Sequence, residues 1–141
     1  MNFTNSVRVE RTPHDVFAYL AEFENVPRWN YAIERTWKTS PGPVGVGSTY
    51  HQERTVPRRA EESFEVVEFA PDSRLAIAGT LGPFPAHVTY VLQSDDGGTT
   101  VVNDVELEVH GALRAVAPLA IGQVKKSVAA NLNVLKQLLE S

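Results

Sequence analysis

Two charged residues in the middle of the chain, Arg54 and Glu62, fall where alternation turns side chains inward. In the segment 48–56, Tyr50, Gln52, Arg54 and Val56 share a face, and in 61–69 Glu62, Phe64, Val66 and Glu68 do, because successive strand side chains point to opposite sides, with a bulge that carries Phe69 across as the alternative at the strand's end. The short connection 57–60 makes the two segments neighbours, which brings Arg54 and Glu62 within reach of a cross-strand ion pair. An inward charge is costly unless paired, so two readings compete. Both residues sit at a wet rim, or Arg54 anchors a carboxylate or phenolate on an otherwise apolar ligand while Tyr90 and Asn103 supply hydrogen bonds. Acid–base catalysis has only Arg54, Glu62, Tyr50 and Tyr90 to draw on. A neighbouring arginine favours the charged form of Glu62, which opposes its use as a base at neutral pH.

Other chemistries are poorly served. The chain has no cysteine, which excludes disulfides, thiolate nucleophiles and cysteine-ligated zinc. His14 falls in a first helical turn, and His51, His87 and His110 have outward parity. No HExxH, GxSxG or P-loop is present, and Gly42, Gly45 and Gly47 make no dinucleotide fingerprint. No catalytic residue, metal or cofactor is assigned.

The elements that must position these residues follow from periodicity. Residues 3–11 alternate as a half-buried strand. Thr12, Pro13 and Asp15 read as a capped helix start, with Val16, Phe17, Leu20 and Phe23 on one face. Residues 25–29 form a second short helix, with Trp29 as a core plug. Strands are expected at 33–39, 48–56, 61–69, 74–80, 86–93 and 99–109. Gly82 to Pro85 interrupts the fifth and sixth strands, and Asp95-Asp96-Gly97-Gly98 makes a hairpin. From about Leu113 the apolar residues Val116, Ala120, Val124, Val128, Leu132, Leu135 and Leu139 mark a helix of about 25 residues and ~38 Å. Pro118 and Gly122 should loosen its first turns. The expected fold is α+β: a seven-stranded curved antiparallel sheet around a long C-terminal helix, with two short helices after the first strand.

Composition narrows the partners. With 141 residues, 43% of them hydrophobic, and no internal linker, the expectation is one domain over 1–141. A net charge of −4 gives no general attraction for nucleic acid. No apolar run approaches the ~20 residues of a membrane span, and the opening residues lack a signal-like stretch. A cytoplasmic setting is expected.

The segments VRVERTPHDVFAYLAEFENVPRWN, FEVVEFAPDSRL, DDGGTTVV and VAANLNVLKQLLES, in this order and spacing, resemble the START/Bet v 1-like (SRPBCC) helix-grip superfamily. Within it they resemble the bacterial polyketide cyclase/dehydrase-type lipid-binding group. The resemblance implies a cavity between sheet and helix that holds a hydrophobic or amphipathic small molecule, with a minority of members doing chemistry on it. Placed on that fold, the inward residues Tyr50, Gln52, Arg54, Glu62, Phe64, Tyr90, Asn103 and Leu107, with Val124 from the helix, are the candidate ligand-binding set. Loops 57–60, 79–85 and 110–113 share one end of the sheet, which is the expected mouth, with Leu81 and Phe84 as lid or collar. Three functions fit: a binder or carrier of a lipid, polyketide or aromatic molecule, a polyketide cyclase/dehydratase-type enzyme, or a protein-interaction module using the mouth loops. Through the same apolar tip, a homodimer is the remaining partner expectation.

Overall fold

The alternation of Val7 and Val9 with Arg8 and Glu10 becomes an edge strand, β1 (Asn2–Val9), in the computed structural model, which describes residues 1–141. Thr12 caps α1 (Pro13–Ala21): its hydroxyl accepts the Asp15 amide at 3.2 Å, and Pro13 supplies the preset first helical position. A single 3-10 turn (Phe23–Asn25) and α2 (Val26–Trp29) follow. Six further strands come next: β2 (Ile33–Lys38), β3 (Thr49–Arg54), β4 (Ala60–Ala70), β5 (Arg74–Leu81), β6 (Phe84–Asp95) and β7 (Gly98–Leu107). The chain closes with α3 (Leu113–Glu140). The seven strands form one sheet in the order β1-β7-β6-β5-β4-β3-β2, antiparallel throughout. This is the α+β helix-grip arrangement.

Two apolar clusters hold the helices on the sheet. In the larger, Val16, Phe17 and Leu20 of α1 meet Leu132, Leu135 and Leu139 of α3 over β3–β7. Its aromatic part is tight: Phe23 lies 4.8 Å from Tyr50 and 5.2 Å from Phe64, and Tyr50 stacks on Phe64 at 5.1 Å. Such offset and edge contacts add to simple area burial. In the smaller cluster, Ala117, Ile121 and Val124 of α3 meet Phe3, Val105, Leu107 and Val109.

Four local readings need correction. Gly82-Pro83-Phe84-Pro85 does not interrupt a strand pair. Leu81 and Phe84 are paired, so Gly82-Pro83 is a two-residue turn at the tip of a long hairpin, and Gly82 takes φ +61° at its first position. The 95–98 hairpin behaves as expected, with positive φ at both Asp96 and Gly97. In β4 the register slips between Val66 and Glu68. The extra residue flips parity, so Phe69 turns in against Phe17 at 5.2 Å. Glu68, expected inward, instead pairs with Arg74 at 2.6 Å on the outer face.

The third correction concerns α3. Val116 and Ala120 are exposed, and the buried stripe runs instead through Ala117, Ile121, Val124, Val128 and Leu132. A row taken in steps of four gains ~40° per step, so Val116 sits about 160° from Leu132 around the axis. The fourth is Pro118, which lies within one continuous helix. That helix opens with a turn closed by i to i+3 bonds, from the Arg114 amide to Gly111 and from the Ala115 amide to Ala112.

Candidate functional site

A pocket of about 110 Å³ lies between the concave face of the sheet and α3. The sheet gives it Gln52 and Arg54 (β3), Phe64 (β4), Ile77 to Leu81 in part (β5), Val88 and Tyr90 (β6), and Asn103 and Val105 (β7). The helical side gives it Leu20, Phe23, Val26, Trp29, Val128 and Asn131. Of the residues chosen from sequence, Gln52, Arg54, Phe64, Leu81, Tyr90 and Asn103 therefore meet at one space.

The remaining five stand elsewhere. Tyr50 is 2% exposed, sealed from the pocket by the rings of Phe23 and Phe64. Burial, with Glu24 adding to it, pushes its phenol up to about 12. Glu62 lies behind Arg54 and Gln52. Phe84, Leu107 and Val124 belong to the smaller apolar cluster at the start of α3. Trp29, read as a core plug, is 7% exposed and also forms pocket wall. Asn131 was missed altogether, although it interrupts the apolar stripe of α3 between Val128 and Leu135. A polar residue on a buried helix face was the available signal.

The Arg54–Glu62 pair is more enclosed than a wet rim would allow. Their side chains are 13% and 2% exposed. Glu62 accepts four hydrogen bonds: from Arg54 Nε at 2.7 Å and Nη2 at 3.1 Å, from Gln52 Nε2 at 2.8 Å, and from the Gly82 amide at 2.8 Å. A bidentate guanidinium plus two neutral donors satisfies the carboxylate fully. Two consequences follow. The Nε/Nη2 edge of Arg54 is taken up by Glu62, and its charge is paired beside the pocket, which argues against the expected anion anchor. The Gly82 bond also ties the tip of the β5–β6 hairpin to β3 and β4.

The far wall is polar but uncharged. Tyr90 and Asn103 face each other across β6 and β7. Tyr90 makes no hydrogen bond within the protein, and burial holds its phenol well above its usual 10. Asn103 is 1% exposed, and its Nδ2 donates to the Thr89 carbonyl at 3.4 Å. The histidines lie outside: His14 faces Asp72 at 3.2 Å, and His51 faces Ser63 at 3.2 Å on the outer side of the sheet. A larger cleft of about 570 Å³ opens between β1, β5, β6 and β7, but it lies on the protein's exterior among Asn2, His87, Glu106 and Glu108.

A curved antiparallel sheet gripping one long helix, with a pocket between them, is the helix-grip fold, like that of START proteins. Within that class the chain belongs to the family described as polyketide cyclase / dehydrase and lipid transport, whose model matches residues 1–140. Solved structures agree on the fold. TTHA0849 from Thermus thermophilus superposes with a TM-score of 0.82 at 14% identity, covering 99% of this chain and 97% of that one. A START superfamily protein from Mycobacterium smegmatis gives 0.77 at 17% identity, with 98% of each chain covered. The di-domain ARO/CYC StfQ from the steffimycin biosynthetic pathway gives 0.82 at 12% identity, with 99% of this chain matching 50% of that one. No curated protein matches the sequence.

Proposed function

We propose that residues 1–141 act as one ligand-binding domain that holds a small apolar molecule, of lipid, polyketide or aromatic type, between sheet and α3. The observation that carries this reading is a pocket with mostly apolar walls whose only charged pair is closed on itself. Transferring an apolar surface into such a site gains about 25 cal/mol per Å². No inward group offers a base at neutral pH: Glu62 is saturated with donors, and the Tyr90 phenol stays protonated. Binding is therefore favoured over a cyclase or dehydratase reaction.

The size of the pocket constrains the mechanism. At about 110 Å³ it has room for one small ring, below the ~300–1,000 Å³ of a site for a drug-sized molecule. A larger ligand requires the walls to part. The β5–β6 tip is the segment placed to do so, because Leu81 is pocket wall and the adjacent Gly82 hangs on a single carboxylate. Native mass spectrometry of the purified protein, followed by solvent extraction, tests the proposal. A stoichiometric small molecule is the expected result. An empty protein that also gains no thermal stability from any small apolar ring would overturn it.

A further inference from the structure

Two buried side-chain polar atoms in the whole chain lack a hydrogen-bond partner: Thr36 Oγ1, which is remote from the pocket, and Asn103 Oδ1, in the pocket wall. Their rarity is expected, since an orphaned buried acceptor forfeits its hydration without compensation. The orientation of the Asn103 amide is set by its Nδ2 bond to the Thr89 carbonyl, because two carbonyl oxygens would repel. Oδ1 is thus the free arm. Around it stand two more polar side chains without a partner in the protein. Tyr90 is opposite in register, and Asn131, 6% exposed, comes from α3. One acceptor, one phenolic donor and one amide therefore converge on the same small space, while the apolar walls fill the rest.

We infer that the polar group of the ligand is a neutral hydrogen-bond donor, a hydroxyl or N–H, seated on Asn103 Oδ1 with Tyr90 and Asn131 beside it. This rests on the pocket being the binding site, and it specifies which molecules the site selects. An acceptor-only group such as a carboxylate meets the carbonyl oxygen of Asn103 and finds no free cation, because Glu62 already neutralises Arg54. An ammonium finds no unpaired carboxylate. A hydroxyl satisfies Oδ1 and can accept from the Tyr90 phenol in return.

Three single-ring probes test it: phenol, toluene and benzoate, titrated into the uniformly ¹⁵N-labelled protein and followed by NMR. Phenol is expected to bind about tenfold more tightly than toluene, the worth of one net hydrogen bond, and benzoate more weakly than either. The side-chain amide resonances of Asn103 should move with phenol and not with toluene, a reading that needs no variant. Asn103→Leu should abolish the preference, with phenol and toluene titrated on the same variant binding with about equal affinity. Equal affinities for phenol and toluene in the native protein, or a preference that survives Asn103→Leu, would overturn the inference and leave the binding proposal standing. If none of the three rings binds, this inference falls, and if native mass spectrometry also finds the protein empty, the binding proposal falls with it.

Discussion

Removing Arg54 is the sharpest test of how the pocket is built. Arg54→Met keeps the apolar stem of the side chain, but removes the guanidinium and leaves the Glu62 carboxylate, 2% exposed, with only Gln52 and Gly82 as donors. Breaking one partner of a buried ion pair typically costs about 3–5 kcal/mol, because the other charge stays behind without compensation. The two surviving neutral donors bring the expected loss to the lower part of that range, about 3 kcal/mol. With a urea dependence near ~2 kcal/mol per molar for a chain of this size, the unfolding midpoint should fall by about 1.5 M. Arg54→Met combined with Glu62→Leu should recover most of the loss, since an apolar pair of similar volume has no charge to solvate. The assay is equilibrium urea unfolding at pH 7, monitored by circular dichroism. A single-variant loss below ~1 kcal/mol would place the pair with ordinary surface ion pairs and refute its role as a desolvated clamp. A double variant as unstable as the single one would do the same.

Two further outcomes follow from other parts of the fold. Gly79→Ala should cost about 1–3 kcal/mol in thermal unfolding, because a Cβ there would lie 2.7 Å from Phe64 Cβ and 2.9 Å from Phe64 Cα, and would also press on the Ser63 carbonyl. A Tm within a degree of the parent would show that β4 and β5 part freely at this point. At alkaline pH, Tyr50 has a folded-state pKa of about 12 and Tyr90 is raised as well, both above the unfolded value near 10. Their contribution to stability is complete below pH 10 and is lost as pH rises from 10 towards 12, because the unfolded chain releases those protons first. Tyrosinate absorbance at 295 nm from these two rings should therefore appear together with loss of the circular dichroism signal. Full ionisation of all four tyrosines in a folded protein would contradict it.

Strand order and register were legible because side-chain alternation has an exact period and the turns are short. Parity alone brought Gln52, Arg54, Phe64, Tyr90 and Asn103 to one face, as they stand in the fold. It failed where one residue changes the phase, at the β4 bulge that exposes Glu68, and where helical drift accumulates, between Leu132 and Val116. The tip at Gly82-Pro83 was misread because prolines flanking Phe84 weigh against a strand, whereas Pro83 occupies the turn and Pro85 faces Thr80 near its end. The helical half of the pocket was largely invisible. Periodicity shows which face of α1 or α3 is buried but not against which strands it rests, so Val26, Trp29 and Asn131 could not be matched to Tyr90 and Asn103. Depth was hidden for the same reason: Tyr50 points inward as expected, yet Phe23 arrives from outside the sheet to cover it.

The Gly82 tether separates two properties that usually vary together in a binding protein. In the proposed carrier, the equilibrium strength of the complex is set at the Asn103 wall, where the polar group is matched. The speed of exchange is set at the opposite end, by how often the hairpin leaves Glu62. Changes at Gly82 or Gln52 would then alter dissociation and association rates in step, leaving their ratio nearly fixed, whereas changes at Asn103 would act on dissociation alone. A fold of this kind can be adapted to hold its cargo briefly or for long periods without altering what it selects.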